Sequence, residues 1–501
     1  MHIADILSSV PLDAQARAPL FQQLGAGIRA AILDGAIAPG MRLPPTRTLC
    51  TLLGVSRQTV LSAYEQLTAE GYLEGTVGRG TFVAAHLPGR TQAPTQPARA
   101  VRGLSARGRA FAASMRGVRH HDQPARAFRA SMPALELFPF DVWNRLEARR
   151  RRHPDHHFGY GDPAGYLPLR ERLCEYLGAA RGVRCTPEQV IITSGSQQAL
   201  YVLAVTTLDE GDEVWLESPG YQGACAPLRA AGASIRTVPV AEDGLDLAWA
   251  ERRLPPARLV FTTPSHHLPL GVTMSLPRRL ELLAWARRHR AWIVEDDYDS
   301  EYRYNGPPLP SLQSLDHAGC VIYVGTLSKV LFPGLRLGYL VVPPGLAEDI
   351  ARAKAVIDRH SPIVPQMALA DFIAQGHFAR HIRRTRAAYA ERRAVLLREL
   401  DRHVPDLLRC GPSDAGLDLC THFRIPLDEA DVVRRCAAAG IELRGLAYYR
   451  NPNAVKACDV PPGLLLGFSS VPPDAIRDAV PRLAGALADA AAAVEGARRL
   501  R

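Results

Sequence analysis

The chain has 501 residues, enough for two or three domains, and its contents of 47% hydrophobic and 22% charged residues are ordinary for a globular protein. No apolar run is long enough to cross a bilayer, the N-terminus lacks the pattern of a secretory signal, and the nine cysteines form no CxxC pair. We therefore expect a cytoplasmic protein without a membrane segment, a disulfide framework or a metal site.

The formal net charge of +10 is unevenly distributed along the chain. Residues 1–83 contain six arginines and six acidic residues, whereas residues 84–130 contain nine arginines and a single acid. The second segment is rich in Pro, Gly, Ala and Arg and has no sustained periodicity, which predicts a basic linker. This linker either adds salt-sensitive attraction to DNA or acts as a solubilising spacer.

The first 83 residues have the pattern of a winged helix-turn-helix. Apolar residues recur at helical spacing in "PLFQQLGAGIRAAIL", and "LPPTRTLCTLLG" predicts a second helix with Thr46 as N-cap and Gly54 at its end. A third helix is predicted after Ser56, the expected N-cap of "SRQTVLSAYEQL". Two β-rich runs around glycines in "YLEGTVGRGTFVAA" then predict a hairpin, the wing.

Strands and helices alternate through residues 131–501. Short apolar runs occur in "VIITSGSQQALYVLAV", "EVWLESPGY", "ARLVFTTPS", "AWIVEDDYD", "GCVIYVGTLSK" and "LRLGYLVVP", with helical patterns between several of them. This alternation predicts an α/β domain built on a mostly parallel sheet. In such sheets ligands bind at the carboxyl ends of the strands, so the residues that follow these runs are the candidates for a site.

One of these residues is a lysine in a chain that has almost none. Lys+Arg totals 60, yet only Lys329, Lys354 and Lys456 are lysines. Lys329 follows the apolar run "CVIYVG", where a partly desolvated amine has a lowered pKa and can form a Schiff base with an aldehyde. The alternative for Lys329 alone is a solvated loop residue.

Three neighbouring motifs favour the Schiff-base interpretation. "AWIVEDDYD" places Asp296 where a carboxylate could pair with a protonated pyridine nitrogen, although an acidic surface loop has the same pattern. "VIITSGSQQAL" turns from a strand into a helix whose N-terminus suits a phosphate, and "ESPGYQG" offers Tyr221 for stacking on a flat cofactor or for anchoring a turn. A P-loop enzyme is excluded because none of the three lysines lies in a GK[ST] sequence.

The whole chain resembles the MocR/GabR subfamily of GntR-type bacterial transcription regulators. The resemblance rests on "LPPTRTL", "VSRQTV", "YGDPAGYLPLR", "SGSQQAL", "ESPGY", "VEDDYDSEYRY" and "GTLSKVLFPGLRLGY" in combination. It implies an N-terminal winged helix over residues 1–83, the linker 84–130, and a fold-type I aminotransferase-like domain over residues 131–501 that binds pyridoxal 5'-phosphate and forms a homodimer.

The resemblance also implies roles for individual residues. Lys329 is expected to be the Schiff-base lysine, Asp296 to pair with the pyridine nitrogen and Tyr298 to contact the phenolic oxygen. Tyr221 is expected to stack on the ring. The residues expected to surround the phosphate are Ser196, Gln197, Thr326, Ser328 and Arg336, joined by Tyr160 from the neighbouring subunit.

Two positions depart from the aminotransferase pattern. "TPSHHLPLG" places Leu268, with His266 and His267 close by, where aminotransferases usually have an asparagine, and "GLLLGFSS" places Leu465 where they have the arginine that binds the substrate carboxylate. Without that guanidinium an ordinary amino acid loses its main charge-assisted anchor. Either Arg444 or Arg450 could replace it.

In the winged-helix interpretation, Ser56, Arg57 and Thr59 enter the major groove, Arg47 contacts a phosphate or a base edge, and the wing tip brings Arg79 and Gly80 to the DNA. We therefore expect a transcription regulator that binds operator DNA and senses pyridoxal phosphate, an amine or an amino acid through a Lys329 aldimine. The alternatives are an active aminotransferase with an accessory DNA-binding domain and a DNA-binding scaffold with a structural cofactor. Sustained turnover would identify the aminotransferase. A sensor does not require turnover, although partial transamination is compatible with sensing.

Overall fold

The computed structural model describes residues 3–16, 18–76, 80–87, 103–114, 126–153, 155–306 and 309–499. The chain divides into two units, Met1–Gly103 and Leu104–Arg501. The division therefore falls within the segment 84–130 that the sequence predicts as a linker. No helix of the described residues is long and apolar enough to cross a membrane.

The first unit contains four helices and a two-stranded antiparallel sheet among its described residues. The helices are α1 (Ile3–Ser8), α2 (Leu20–Leu33), α3 (Thr46–Leu53) and α4 (Arg57–Ala69), and the strands are β1 (Leu73–Thr76) and β2 (Gly80–Val83). Their apolar faces meet in one core that includes Leu24, Ile28, Leu49, Val60 and Leu73. This is the predicted winged helix, with the hairpin as its wing. The additional helix α1 contributes Ile6 and Leu7 to the same core.

Two of the three predicted helix-terminal residues of this unit are confirmed. Ser56 caps α4 by accepting a hydrogen bond of 3.0 Å from the backbone N–H of Thr59. Gly54 ends α3 in the left-handed conformation, with φ of 65°. The prediction for Thr46 is wrong, because Thr46 is the first residue of α3 and Pro45, in an extended conformation, is its N-cap. Proline fixes φ near the value needed there, so the helix begins without a side-chain cap.

The second unit begins its described helices within the predicted linker. Helix α5 (Ala106–Ser114) packs against the rest of this unit, and the ring centroids of Phe111 and Tyr201 lie 6.2 Å apart. The alanine-rich sequence "ARGRAFAAS" favours a helix by propensity but lacks an amphipathic pattern, and this explains why periodicity did not reveal it.

The remaining helices and strands of the second unit alternate as predicted. The helices are α6 (Phe140–Arg152), α7 (Leu167–Arg181), α8 (Ser196–Thr207), α9 (Cys225–Ala230), α10 (Leu247–Arg253), α11 (Leu276–His289), α12 (Leu312–Leu315), α13 (Ala347–Asp358), α14 (Ile363–Ala374), α15 (His377–His403), α16 (Glu429–Ala438) and α17 (Pro473–Arg499). The strands are β3 (Val190–Thr193), β4 (Glu213–Glu217), β5 (Ser234–Val238), β6 (Val240–Ala241), β7 (Gly244–Leu245), β8 (Leu259–Thr262), β9 (Trp292–Asp297), β10 (Val321–Thr326), β11 (Gly338–Val341), β12 (Leu408–Cys410), β13 (Asp418–Phe423), β14 (Arg444–Gly445) and β15 (Gly463–Gly467).

The central sheet has seven strands in the order β3-β11-β10-β9-β8-β4-β5. The pairs from β10 to β5 are parallel, and β11 is antiparallel to both of its neighbours. Separate apolar clusters cover the two faces, with Ile192 and Tyr339 on one face and Ile191 and Val324 on the other. The predicted mostly parallel sheet is confirmed, and its double burial explains the continuous apolar runs of the sequence.

A smaller antiparallel sheet lies near the C-terminal end of the chain, in the order β12-β13-β15-β14. Helices α15, α16 and α17 cover it with a separate core that includes Leu396, Val432 and Leu483. The start of this unit also joins the small sheet, since Phe128 forms a bridge with Gly467. This places residues near position 131 beside the carboxyl ends of the central strands.

Candidate functional site

Lys329 lies three residues beyond the end of β10, in the turn that follows the strand. Its Nζ donates a hydrogen bond of 2.8 Å to the carbonyl oxygen of Ser131. Burial lowers the pKa of Lys329 from its ordinary value of 10.5, and the negative charges of Asp418 and Asp299 only partly oppose that effect. A larger fraction of the amine is therefore neutral, which is the nucleophilic form.

Asp296 lies on β9, the strand parallel to β10, and its carboxylate is the second element of the site. Its Oδ1 is buried and has no hydrogen-bond partner among the described residues. Burial, followed by the charge of Asp297, raises the pKa of Asp296 to about 7. A buried carboxylate without a partner is unfavourable, and a cationic group placed beside it would stabilise the ionised form.

Tyr298 follows β9 and belongs to a buried group with His266 and Asp299. The Nδ1 atom of His266 lies 3.0 Å from the hydroxyl of Tyr298 and 2.9 Å from Oδ2 of Asp299. Burial opposes protonation of His266, but Asp299 outweighs it and raises the pKa of His266 above 6.5. The group fixes the hydroxyl of Tyr298 at the edge of the site.

One recess of the site, lined by Ser196 and Arg336, lies where β3 turns into α8. Gly195 has φ of 104°, and Ser196 is the first residue of α8, so the N–H groups of the first helical turn face this recess. Arg336 donates a hydrogen bond of 2.7 Å to the carbonyl oxygen of Ser194. A Cβ atom on Gly195 would lie 3.2 Å from Nη2 of Arg336, so the glycine allows the guanidinium to approach closely. Thr326 and Ser328 line the same cavity as Ser196 and Arg336.

Tyr221 is held at the site by the first turn of α8. The Nε2 atom of Gln197 donates hydrogen bonds to the hydroxyl of Tyr221, at 2.8 Å, and to the carbonyl oxygen of Gly223, at 3.1 Å. A Cβ atom on Gly223 would lie 2.4 Å from the Cζ atom of Tyr221, so a larger residue would displace the ring. The ring therefore has a fixed orientation, suitable for stacking on a planar group.

These residues line one cavity of about 330 Å³. It contains nine of the ten residues that the sequence predicts for the cofactor: Ser196, Gln197, Tyr221, Asp296, Tyr298, Thr326, Ser328, Lys329 and Arg336. The tenth, Tyr160, lies elsewhere. Its side chain is 88% exposed, and the guanidinium carbon of Arg359 lies 5.5 Å from the centre of its ring. Tyr160 is therefore not among the residues that line the cavity of its own chain, and its contact with a partner's site stays a prediction.

The predicted nucleic-acid-binding residues lie in the first unit. Ser56 and Arg57 are exposed at the start of α4, with Thr59 half-buried beside them, and Arg47 is exposed on α3. Gly80 begins β2 and is exposed, whereas Arg79 lies outside the described residues. The N-terminal end of the recognition helix therefore presents one arginine and a hydroxyl to solvent.

Arg42 is a further basic residue at this surface. A Cβ atom on Gly80 would lie 2.9 Å from Nε of Arg42, so the guanidinium lies against the wing. The backbone of Arg42 also forms an antiparallel bridge with Phe82. Sequence reasoning missed Arg42 because it lies between the predicted helices, and only this pairing brings it to the wing.

Two family models match the chain, and they correspond to the two units. The model for bacterial regulatory proteins of the gntR family matches residues 20–83, and the model for aminotransferase class I and II matches residues 136–446. The chain is also 42% identical, over 95% of its length and 95% of the relative's, to the probable rhizopine catabolism regulatory protein MocR of Rhizobium meliloti. The chain belongs to the MocR-type regulators of the GntR family.

Other members and a solved structure agree with this family. The pyridoxine biosynthesis transcriptional regulator PdxR of Corynebacterium glutamicum is 30% identical over 94% of this chain and 96% of its own length. The α-aminoadipate aminotransferase LysN of Thermus thermophilus, solved in complex with N-(5'-phosphopyridoxyl)-L-leucine, is 31% identical and matches 77% of this chain and 96% of its own with a TM-score of 0.66. The predicted family and fold are confirmed.

The two departures from the aminotransferase pattern have clear places in this MocR-type chain. Leu268 lines the cavity, and Leu465 lies on β15 with only 1% of its surface exposed. Of the two arginines considered as replacements, Arg450 is paired with Asp459 at 2.7 Å. Arg444 lines the cavity.

Several residues of the site were not predicted. Ser131 accepts from Lys329 and is held by Asp418, which accepts hydrogen bonds from its backbone N–H at 2.7 Å and its hydroxyl at 2.8 Å. Tyr448 and Tyr449 also line the cavity. The paired tyrosines after "RGLA" were a visible aromatic signal, but no local pattern connects residues 131 and 418 with position 329.

Proposed function

We propose that this MocR-type regulator binds pyridoxal 5'-phosphate in the cavity of its aminotransferase-like unit and uses it to sense an effector while its winged helix binds operator DNA. The observation that carries the proposal is the pair Lys329 and Asp296. The Lys329 amine, partly buried and of lowered pKa, and the buried Asp296 carboxylate, whose Oδ1 has no hydrogen-bond partner among the described residues, line the same cavity.

The residues present fit this cofactor. Arg336, Ser196 and the start of α8 would hold its phosphate, and Tyr221 would stack on its ring. Asp296 would receive the protonated pyridine nitrogen, which would supply its missing partner. When bound, the cofactor supplies an aldehyde that condenses with primary amines and a ring that withdraws electrons.

The chain's own residues would then position each part of the ligand. Asp418 holds Ser131, and the carbonyl of Ser131 fixes the Lys329 amine. Tyr298, held by His266 and Asp299, offers a hydroxyl to an oxygen on the ring. These groups orient an amine and stabilise the charges of the bound ligand. Such binding is sufficient for recognition and does not require turnover.

Leu465 favours sensing over sustained transamination. An apolar side chain stands where the aminotransferase pattern has the arginine that binds a substrate carboxylate, so the usual anchor is absent at that position. A regulator requires only that its effector bind two arrangements of the protein with different affinities. The effector is pyridoxal phosphate itself, an amine or an amino acid, and the protein acts as a cytoplasmic homodimer.

The test compares Lys329→Ala with Lys456→Ala, which changes an exposed lysine outside the cavity. We expect the native protein and the Lys456 variant to gain visible absorbance with pyridoxal phosphate and the Lys329 variant to gain none. Affinity for a duplex selected by the native protein from a randomised library should respond to pyridoxal phosphate or an amine only where Lys329 is present.

Unchanged absorbance in Lys329→Ala would falsify the assignment of this lysine. Accumulation of a keto acid through many turnovers, with an amino donor and an acceptor, would instead identify an enzyme. If the DNA affinity of the native protein does not change when cofactor or amines are added, the protein is a DNA-binding scaffold.

A further inference from the structure

The cavity contains a cation that none of the proposed cofactor contacts uses. Among the described residues that line it, Lys329, Arg336 and Arg444 carry positive charge. Lys329 lies at the amine end and Arg336 in the recess at the start of α8. Arg444 begins β14 in the small antiparallel sheet and also lines the cavity.

The guanidinium of Arg444 lies over an aromatic ring. Its central carbon lies 4.0 Å from the centre of the Tyr448 ring. Within the described part of the chain, no carboxylate lies within ion-pair distance of Arg444. One N–H group of Arg444 donates a hydrogen bond to the hydroxyl of Tyr449. A guanidinium has five N–H donors, so those that remain can bind a carboxylate.

Strand register relates Arg444 to the position where the usual anchor is missing. Arg444 pairs directly with Leu465 across the antiparallel strands β14 and β15. Residues directly opposite in such a pair project from the same face of the sheet. The chain therefore carries a guanidinium on the face where Leu465 is apolar, displaced by one strand.

The charge of Arg444 also affects the pKa of the Lys329 amine. Among the charges that act on Lys329, Arg444 lowers its pKa while Asp418 and Asp299 raise it, and burial remains the largest cause. The positive charges of Arg444 and the protonated Lys329 amine repel each other, and a carboxylate bound at Arg444 would offset this repulsion. A ligand that carries both an amine and a carboxylate would thus satisfy both ends of the cavity.

We propose that Arg444 anchors the effector and restricts it to primary amines that carry a carboxylate. This inference rests on the proposed function, because the amine end of the effector is recognised at the cofactor. Tyr448 is 39% exposed and Arg444 is half-buried, so the anchor lies toward the outer part of the cavity. The specificity of this regulator would then depend on a residue of β14 rather than on β15.

The experiment titrates the full-length, cofactor-loaded protein with glycine, β-alanine, 4-aminobutanoate and 5-aminopentanoate, and with the amide of each. Cofactor absorbance and affinity for the selected DNA duplex are measured together. In the native protein we expect one of the carboxylates to act at lower concentration than its amide. The Arg444→Gln variant should require about tenfold or more of that carboxylate, as for a lost charge-assisted hydrogen bond, and should lose most of the preference for the carboxylate over its amide.

Two variants complete the design. Arg444→Lys should restore part of the preference through charge alone, and Arg450→Gln, which changes the arginine paired with Asp459, should behave as the native protein does. Equal responses of the native and Arg444→Gln proteins, or equal potency of carboxylates and amides, would overturn the role of Arg444. So would failure of both Arg444 variants to bind the cofactor, since Arg444 would then belong to the cofactor site. If no amine changes the native absorbance or DNA affinity, amine sensing itself is wrong.

Discussion

Three consecutive acids on β9 have three different environments because successive residues of a strand face opposite sides. Glu295 accepts hydrogen bonds of 2.8 Å from the backbone N–H groups of Leu312 and Gln313. Asp297 binds the buried Arg181 at 2.8 Å and the hydroxyl of Tyr323 at 2.6 Å. Asp296, between them, faces the cavity. Alternation alone therefore separates the two structural acids from the one that is available to a ligand.

The lowered pKa of Lys329 predicts the pH dependence of cofactor capture. The neutral amine is the reactive form, so the rate of pyridoxal phosphate binding should rise with pH to a plateau. The midpoint of that rise should lie below 10.5, the ordinary lysine value. Stopped-flow absorbance at a series of pH values measures this midpoint. A midpoint at or above the ordinary value would contradict the environment described for Lys329.

Two variants should shift this midpoint in opposite directions. Asp418→Asn removes a negative charge that raises the pKa of Lys329, so the midpoint should fall. Arg444→Gln removes a positive charge that lowers it, so the midpoint should rise. Circular dichroism of both variants confirms that they are folded. Shifts of the same sign would show that these charges do not act directly on Lys329.

At this scale, sequence reasoning could predict the residues that follow strands but not those that reach the site from distant segments. Lys329, Asp296 and Tyr221 each follow or end an apolar run, so their convergence follows from a parallel sheet. Ser131 contacts Lys329 across 198 positions of the chain and Asp418 across 287. Such contacts depend on how the small sheet packs, which no local pattern encodes.

At the scale of elements, burial decided which strands could be predicted. The strands β3, β4, β8, β9, β10 and β11 coincide with the six apolar runs. The seventh, β5, lies at the edge of the sheet, where Ser234 is half-buried and Arg236 is exposed. Because β5 is only partly buried, its sequence has no continuous apolar run, and the prediction omitted it. The other edge strand, β3, is fully buried and was predicted.

Two adjacent residues at the start of helix α4, Ser56 and Arg57, are both predicted to lie at the DNA, but only Ser56 also caps the helix. Arg57→Ala should weaken binding to the selected duplex by about 1–3 kcal/mol and leave the free energy of unfolding unchanged, because its side chain is exposed. Ser56→Ala removes the hydrogen bond to the N–H of Thr59 and should lower that free energy by about 1 kcal/mol. Fluorescence anisotropy and urea denaturation measure the two effects. Native affinity in Arg57→Ala would remove this residue from the interface.

At the scale of the whole molecule, the end of helix α13 connects the recess at the start of α8 to Tyr160. Gln198 accepts from the N–H of Ser194 at 2.7 Å and donates to Asp358 at 2.8 Å. The buried Lys354 binds the same carboxylate at 3.0 Å. Arg359, the residue after Asp358, lies over the ring of Tyr160. Lys354 therefore stabilises the recess indirectly, through Asp358 and Gln198. The end of α13 also contacts Tyr160, the residue expected to reach a partner.

The prediction for Tyr160 is tested with mixed dimers. Tyr160→Phe should weaken cofactor binding about tenfold, the effect of losing a hydrogen bond to a charged phosphate. Lys329→Ala should abolish the cofactor's visible absorbance. If Tyr160 acts on the partner's site, a dimer of one chain of each variant has one site with both defects and one site with none.

Chains with two different affinity tags, expressed together and purified on both, give this mixed dimer. We expect it to show half of the native absorbance per dimer, saturating at the native concentration of pyridoxal phosphate. If Tyr160 acted within its own chain, the lysine-containing site would keep the Tyr160→Phe defect and saturate only at the higher concentration. Because the exposed ring lies outside its own cavity, we expect the first result, and it would show that each cofactor site is completed by the other subunit.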